Sequence, residues 1–146
     1  MGQEATQNGV QAAIKLRGAD VYAGFLMPHL RPSATVLDCG CGAGTITLGL
    51  AVAVPDGHVI GIDLDLSGLK GAQRTAVSFG HQNVSWSGAD GRSLPFHGAI
   101  FDAVLCHSML ETLDDPAPVI AELRRVTKRG GVVGAASANS YGGQLG

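Results

Sequence analysis

The chain has 146 residues, of which 45% are hydrophobic and 15% charged, and its formal net charge is −2. This length predicts a single domain with a sizeable core. A small negative charge provides no broad attraction for nucleic acid or an anionic membrane, and no apolar run approaches the roughly 20 residues that a membrane span needs. Because residues 1–10 lack the pattern of a secretory signal, we expect a cytoplasmic protein without a nucleic-acid partner.

Two short helices are predicted at the start of the chain. From Asn8 to Gly18 the apolar residues recur at the spacing of one helix face. Asp20 is a suitable N-cap for a second helix that reaches Leu26, before the prolines at positions 28 and 32. Residues 1–34 are therefore predicted to form an N-terminal helical segment.

After this segment, short β-branched runs alternate with stretches of helix length. Such runs, when they are bounded by turn residues, indicate strands that are buried on both faces. Five strands are predicted, at Thr35–Asp38, His58–Asp63, Val84–Ser87, Phe101–Cys106 and Gly131–Ala136. Helices are predicted at Gly44–Val54, at Ser67–Phe79 with Ser67 as the cap, and at Pro116–Lys128. This alternation predicts an α/β fold with a mostly parallel, doubly wound sheet.

The predicted sheet defines the domain organisation. It spans residues 35–136 and is followed by a polar, glycine-rich tail at 137–146. The fifth strand would be an apolar edge, which is a template for pairing with another chain. A homodimer through this sheet edge is therefore one expectation.

The three cysteines predict neither disulfides nor a metal centre. Cys39 and Cys41 are one residue apart, and Cys106 is distant in sequence. An odd number of cysteines is a poor disulfide framework, and no CxxC pair or Cys/His group has zinc-site spacing. We expect free thiols in a reducing compartment and no metal ligands.

A glycine loop follows the first predicted strand. The sequence from Val36 to Thr45 reads VLDCGCGAGT, so the strand tip is followed by Gly40, Gly42 and Gly44 and then by the start of a helix. Glycines permit a sharp turn and a close ligand approach, and a helix start offers unpaired N–H groups. The GxGxG spacing differs from the GxGxxG spacing of dinucleotide-binding folds.

Acidic residues at two strand ends narrow the class of ligand. Asp38 places a carboxylate beside the loop, where it would repel a pyrophosphate and pair with a ligand ammonium group. Asp63 ends the second strand, 23 residues after Gly40, where an acid can accept both hydroxyls of a ribose. Ligands of such sheets bind outside the carboxyl ends of the strands. The two acids together therefore predict a nucleoside with a cationic tail.

These motifs resemble those of the class I S-adenosylmethionine-dependent methyltransferases, in particular the small-molecule branch with a VLDxGCGxG loop. Further landmarks of that family follow in order, and the resemblance covers about residues 17–136. They are VIGID at 59–63, GAD at 88–90 with LPF at 94–96, FDAV at 101–104 with Leu110, Glu111 and Leu113, ELRRV at 122–126 and GG at 130–131. The complete set of motifs makes the resemblance specific.

The resemblance implies a Rossmann-like sheet of about five strands in the order 3-2-1-4-5, with flanking helices and without the last two strands of the full family fold. It implies S-adenosyl-L-methionine as cofactor and S-adenosyl-L-homocysteine as product. Asp38 and the backbone of Gly40 and Gly42 would hold the methionine end of the cofactor. Asp63 would accept the ribose hydroxyls.

The resemblance assigns the other end of the cofactor as well. Leu64 would lie against the adenine, Asp90 would accept a hydrogen bond from the adenine amino group, and Gly91 would supply backbone beside it. Cys106 and His107 would line the methionine moiety. His107 is also the candidate general base for a hydroxyl or acidic-carbon acceptor.

We therefore expect a methyltransferase that acts on a small organic acceptor. One alternative is a fragment or interaction module that binds S-adenosylmethionine without turnover, and another is a nicotinamide-dependent oxidoreductase. Complete members of the family continue after the fifth strand with a helix and two more strands. We accordingly expect this chain to be a fragment of a longer protein.

Overall fold

The structure is a computed structural model that describes residues 22–137. The first predicted helix and nearly all of the predicted tail lie outside these residues. Of the second predicted helix, Tyr22 is helical, but the chain then turns into a short 3₁₀ helix at Met27–His29. The helix predicted to reach Leu26 is therefore wrong in its described part. Pro28 lies in the first turn of the 3₁₀ helix, where its fixed φ is compatible with helical geometry.

The described residues form one sheet of five parallel strands. The strands are β1 (Thr35–Cys39), β2 (His58–Asp63), β3 (Val84–Gly88), β4 (Phe101–His107) and β5 (Thr127–Ala136). Their order is β3-β2-β1-β4-β5, and each neighbouring pair is parallel. The strand order and the Rossmann-like fold class are thus confirmed.

Three helices connect these strands. They are α1 (Thr45–Ala53), α2 (Leu66–Ser78) and α3 (Ala117–Val126). The predicted cap of α2 is wrong, because Asp65 and not Ser67 occupies the N-cap. The Asp65 carboxylate accepts hydrogen bonds from the backbone N of Ser67 at 3.0 Å and of Gly68 at 3.2 Å. An N-cap side chain accepts from the N–H of the second or third residue after it, and Ser67 and Gly68 are the second and third residues after Asp65.

The predicted boundary between α3 and β5 is also wrong. The helix ends at Val126, and β5 begins at Thr127 rather than at Gly131. Phe101 pairs with Thr127 while Ala103 pairs with Val132, so β5 contains an irregularity where its register shifts. Extra residues in one strand of a pair are accommodated by a bulge, and Gly130, at φ 82°, lies within that stretch.

Apolar side chains cover both faces of the sheet. On one face, Val36, Val59 and Ala103 pack with residues of α1 and with Ala23 and Leu26. On the other face, buried residues of the sheet pack against Val119, Leu123 and Val126 of α3. The buried residues of β1 and β4 alternate between these two clusters, as expected for strands with helices on both sides. The carboxyl ends of the central strands are therefore held in place from two sides.

Among residues 22–137, no helix combines the length and the apolar character that crossing a membrane requires.

Candidate functional site

A cleft of about 260 Å³ lies at the carboxyl ends of the central strands. Its lining residues are Cys39, Gly40, Ile62, Asp63, Leu64, Ala89, Gly91, Ser108, Met109, Thr112 and Leu113. Four residues from the predicted site are among them, namely Gly40, Asp63, Leu64 and Gly91. The other predicted residues, Asp38, Gly42, Asp90, Cys106 and His107, are not in this lining set.

The Asp63 carboxylate ties the glycine loop to the end of β2. One oxygen, Oδ2, accepts a hydrogen bond from the backbone N of Gly42 at 2.8 Å, and Oδ1 accepts one from the backbone N of Asp65 at 2.9 Å. A carboxylate has about four lone-pair positions, so each oxygen keeps capacity for a further donor. Asp63 therefore has a fixed orientation at the cleft and can still accept two hydroxyl groups.

Asp38 lies beneath the glycine loop and is only 2% exposed. Its Oδ2 accepts a hydrogen bond from the Thr47 hydroxyl on α1 at 2.6 Å. Burial raises the pKa of Asp38 from 3.8 to about 6, against the opposing effect of the Thr47 hydrogen bond, and the nearby Asp63 charge raises it further. Sequence reasoning missed Thr47. The signal was a hydroxyl residue in the first turn of a helix that is apolar apart from Thr45 and Thr47.

The glycine loop is bonded to the neighbouring strand. The backbone N–H groups of Gly40 and Cys41 both donate to the Ile62 carbonyl at 2.9 Å. Gly44, at φ 82°, has a packing role: a Cβ there would lie 2.5 Å from Cη2 of Trp86 on β3. The loop glycines thus serve two purposes, because Gly40 lines the cleft while Gly44 makes room for an aromatic side chain.

Met109, which follows β4, was not predicted as a site residue. A Cβ at Gly40 would lie 3.0 Å from the Met109 Sδ, and a Cβ at Gly91 would lie 3.0 Å from the Met109 Cε. The absence of side chains at these two glycines therefore leaves space for a thioether in the cleft. The Met109 side chain is unbranched and adapts to irregular spaces, so we interpret it as a movable part of the cleft wall.

Asp90 forms an ion pair with Arg92 at the end of β3. Its Oδ2 is 2.7 Å from Nη2 of Arg92, and its Oδ1 accepts from the backbone N of Arg92 at 2.9 Å. Hydrogen bonds from Arg92 lower the pKa of Asp90 from 3.8 to about 2. Asp90 is therefore ionised at any pH near neutrality. Arg92 has no equivalent among the sequence predictions.

The loop between β3 and β4 is attached to α3 by two of the ELRRV residues. Glu122 Oε2 accepts from the backbone N of Leu94 at 2.7 Å, and Arg125 donates to the carbonyls of Phe96 at 2.9 Å and Leu94 at 3.1 Å. Arg125 and Glu122 also pair with each other at 2.7 Å. These contacts join the LPF and ELRRV segments and help to position the segment that carries Asp90 and Gly91.

His107 is half-buried at the end of β4. Its ring meets the Tyr22 ring edge to face, with centroids 5.4 Å apart, and its Nδ1 is 3.0 Å from the Ser108 Oγ. Burial lowers the pKa of His107, against an opposing effect of Glu111. Ser108 lines the cleft and has φ 55°, a left-handed conformation that is uncommon outside glycine. Ser108 therefore lies between the cleft and the predicted histidine.

The three cysteines, all within the described residues, are free. Cys39 and Cys106 are register partners on β1 and β4. The hydrogen bond to the Cys106 thiol and burial both raise the pKa of the Cys39 thiol. Thiols held protonated in an apolar environment are poor nucleophiles. Within the described part of the chain, no three His, Cys, Asp or Glu side chains are grouped so as to hold a metal ion.

Comparisons with known proteins place this geometry in a family. Residues 36–131 match the family described as "Methyltransferase domain". An uncharacterized methyltransferase of Schizosaccharomyces pombe is 33% identical over 136 residues, which are 86% of this chain and 49% of that protein. A ubiquinone biosynthesis O-methyltransferase of Paracidovorax citrulli is 38% identical over 99 residues, or 67% of this chain and 41% of that protein.

A solved structure agrees with the sequence relatives. A SAM-dependent methyltransferase of Aquifex aeolicus superposes with a TM-score of 0.66 at 25% identity, covering 74% of this chain and 58% of that one. The chain belongs to the methyltransferase family, as its sequence motifs indicated, and S-adenosylmethionine is the cofactor of that family. The chain spans half or less of the length of the two curated relatives described above.

The residues of the cleft fit this cofactor. Gly40 and Gly91 line the cleft, and the absence of their side chains leaves room for the adaptable Met109. Asp63 presents spare acceptor capacity at the rim, and Leu64 is 68% exposed, which leaves an apolar surface for a flat base. The structure thus provides an acceptor for hydroxyl groups and an apolar contact beside it, as a nucleoside requires.

Proposed function

We propose that this chain binds S-adenosylmethionine in the cleft and forms the cofactor-binding part of a methyltransferase for a small organic acceptor. The observation that carries the proposal is the Asp63 carboxylate, which is fixed by the backbone of Gly42 and Asp65 and keeps capacity for two hydroxyl donors. Asp63 would accept the ribose hydroxyls, and the exposed Leu64 would lie against the adenine.

The methionine end of the cofactor would lie over the glycine loop. Asp38 would provide a negative charge for the ligand ammonium group, together with the backbone of Gly40 and Gly42. A buried carboxylate at this position would repel a pyrophosphate, which argues against a nicotinamide dinucleotide as the ligand. The bound cofactor would supply a methyl carbon activated by its sulfonium. The protein would contribute alignment and exclusion of water, which are the main requirements of an in-line displacement.

The acceptor would approach from the end of β4. Cys106 and His107 would border the methionine moiety, and His107 would act as general base for a hydroxyl acceptor. Its lowered pKa favours the neutral imidazole, which is the form that can take a proton. The relative from Paracidovorax citrulli is named for O-methylation in ubiquinone biosynthesis, which supports a small hydroxyl-bearing acceptor.

Cofactor binding is tested by calorimetric titration of the chain with S-adenosylhomocysteine. We expect saturable binding, and we expect Asp63→Ala to weaken it at least about 100-fold, because two hydrogen bonds to a charged acceptor are lost. Asp56→Ala is the matched control, since Asp56 is an exposed acid in the turn before β2. NAD should not bind. Equal binding by the wild type and Asp63→Ala, or saturable binding of NAD, would contradict the proposal.

The role of His107 is tested separately, with methyl transfer from S-adenosylmethionine to a catechol probe. We expect His107→Gln to lower the rate about 100-fold, within the usual range for general base catalysis, with unchanged affinity for S-adenosylhomocysteine. His97→Gln, in an exposed loop, is the control. An unchanged rate in His107→Gln would remove this assignment. If the wild type binds the cofactor but transfers no methyl group, the alternative of a binding module without turnover is favoured.

A homodimer through the outer edge of β5 stays a prediction. In the described residues this strand pairs with β4 alone, and Val133 is 40% exposed. Sedimentation of a sharp monomer at micromolar concentration would count against it.

A further inference from the structure

The turn after β3 holds one carboxylate in an unusually defined orientation. Asp90 lies between Ala89 and Gly91, which both line the cleft. The backbone N of Ser93 donates to the Asp90 carbonyl at 3.0 Å, which closes a tight turn over residues 90–93. Inside this turn, the Asp90 side chain accepts from the backbone N of Arg92 at 2.9 Å.

The Arg92 guanidinium adds a second set of contacts to the same carboxylate. Its Nε is 3.1 Å from Oδ1 and 3.2 Å from Oδ2, and its Nη2 is 2.7 Å from Oδ2. The side chain of Arg92 is 64% exposed, whereas that of Asp90 is 34% exposed. Since Arg92 contributes little burial, its contacts with Asp90 are its main structural role in the described residues.

The number of acceptor positions on Asp90 limits what else can bind. A carboxylate offers about four lone-pair positions. Three N–H groups of Arg92, the backbone N, Nε and Nη2, point at them. Each oxygen thus receives two of the four contacts, but Nε divides one N–H between both oxygens, so the equivalent of about one acceptor position is left. The rigid fork of the guanidinium limits the directions from which a further donor can approach.

We propose that Arg92 is a positioning residue, which holds Asp90 so that the cleft selects a 6-aminopurine over a 6-oxopurine base. The proposal rests on the proposed function, because it assigns Asp90 to the base of the cofactor. An adenine presents an amino N–H at the position where hypoxanthine or guanine presents a carbonyl oxygen. The single remaining acceptor position of Asp90 can accept a hydrogen bond from the amino group of adenine. It would repel the carbonyl oxygen of a 6-oxopurine, because two acceptors would then face each other.

The test compares S-adenosylhomocysteine with S-inosylhomocysteine in calorimetric titrations of the full chain. We expect the wild type to prefer the adenine compound, and Arg92→Ala to reduce the preference about tenfold. Arg92→Ala keeps the backbone N–H that bonds Asp90 and removes only the guanidinium. Arg92→Lys keeps the charge without the planar fork, so its preference should lie between the two. Arg124→Ala removes an exposed arginine from α3 and is the matched control.

A double-variant cycle shows whether Arg92 acts through Asp90. Asp90→Asn replaces one acceptor oxygen by an amide donor, and it should lower the preference for adenine by itself. In that background, Arg92→Ala should produce no further loss, a result that a general structural role of Arg92 would not give. Unchanged thermal unfolding midpoints would show that the variants are folded.

Two results would overturn the proposal while leaving cofactor binding intact. An unchanged preference in Arg92→Ala would mean that the guanidinium does not orient Asp90 for the base. Tighter binding of S-adenosylhomocysteine by Arg92→Ala would mean that Arg92 competes with the base for Asp90. If the wild type does not bind S-adenosylhomocysteine, the proposed function fails, and this inference fails with it.

Discussion

The two sides of the cleft are built differently. On the side of β1 and β2, backbone groups hold the site together: Gly40 and Cys41 donate to Ile62, and Gly42 donates to Asp63. On the side of β4, side chains from separate parts of the chain meet. His107 contacts Tyr22 and Ser108, and the backbone N of Ser108 donates to the carbonyl of Ala136 at the end of β5.

We call the side formed by β1 and β2 the anchor, because it is preformed, and we call the side after β4 the adaptable wall. A loop bonded to its neighbouring strand keeps its shape before a ligand arrives, which lowers the ordering cost of binding. The wall after β4 contains the flexible Met109 and a residue with uncommon backbone geometry, and such features are typical of functional positions that move or hold strain. Under the proposed function, the first side would recognise the cofactor, and the second side would adapt to it and to the acceptor.

The largest expected effect tests how tightly the glycine loop of the anchor is packed. Gly44→Ala should destabilise the fold by more than about 3 kcal/mol, since left-handed strain adds to overpacking. The new Cβ would lie 2.5 Å from Trp86 and 2.8 Å from Ala72, at φ 82°. Gly80→Ala is the matched control, because Gly80 has φ 73° but nothing within 4 Å of its Cβ position. It should lose only about 1 to 2 kcal/mol. Equal losses in urea denaturation would contradict the packing role of Gly44.

A second prediction uses the buried acid of the anchor. Burial raises the pKa of Asp38 from 3.8 to about 6, so the folded state favours the protonated acid. Its stabilising contribution is complete below about pH 4 and is lost as the pH rises through about 6. Asp38→Asn should therefore be more stable than the wild type at pH 8, by about 2 to 3 kcal/mol. This difference in stability between the variant and the wild type should disappear near pH 4.

The measurement for Asp38 is urea denaturation of both proteins at pH 4 and pH 8, combined with titration of S-adenosylhomocysteine at pH 8. The variant should bind the ligand more weakly, because the charge that would pair with the ammonium group is gone. A stability gap that is the same at both pH values would show that burial does not perturb this carboxyl. Thr47→Val is a useful companion, since it removes the hydroxyl donor and keeps the acid.

The smallest expected effect probes the adaptable wall. Ser108 has φ 55°, and both Ser108→Gly and Ser108→Ala remove the hydroxyl that meets His107. Since only the alanine variant keeps the left-handed strain, the glycine variant should be more stable by about 1 kcal/mol. Ser87 on β3 has no positive φ. At that position, Ser87→Ala should therefore be more stable than Ser87→Gly. The same order at both positions would show that Ser108 is not strained.

Much of the anchor was predictable because it is local in sequence. The strand, the glycine loop and the helix start follow one another within Val36–Thr45, and Asp63 ends the next strand. The binary pattern of buried strands and amphipathic helices likewise predicted all five strands. Apart from the helix predicted to reach Leu26, the errors fell at element boundaries: Asp65 replaced Ser67 as the cap of α2, and β5 began directly after α3. Hydrogen bonds of the Asp65 side chain decide the start of α2, and a register shift accompanies the early start of β5. The periodicity of apolar residues detects neither.

The unpredicted site residues share a different property. Thr47 and Met109 contact groups 9 and about 70 residues away in sequence. Arg125 belongs to the ELRRV motif, but its contact with Phe96, about 30 residues away, was not predicted. The sequence does not specify these partners, because the contacts exist only after the strands and helices are packed. Arg92 is local to Asp90, yet its exposed position resembled that of an ordinary surface charge.

The sequence by itself determined the α/β class, the strand order through its family motifs, and the two acids at the carboxyl ends of β1 and β2. These features depend on periodicity, on turn chemistry and on short-range spacing, which are written directly in the chain. The tertiary structure alone decided that Asp38 is buried against Thr47, that Met109 lies over two glycines, and that Ser108 stands in the cleft beside His107. Burial, pKa and side-chain contact are properties of the packed molecule, since they arise when distant segments exclude water together.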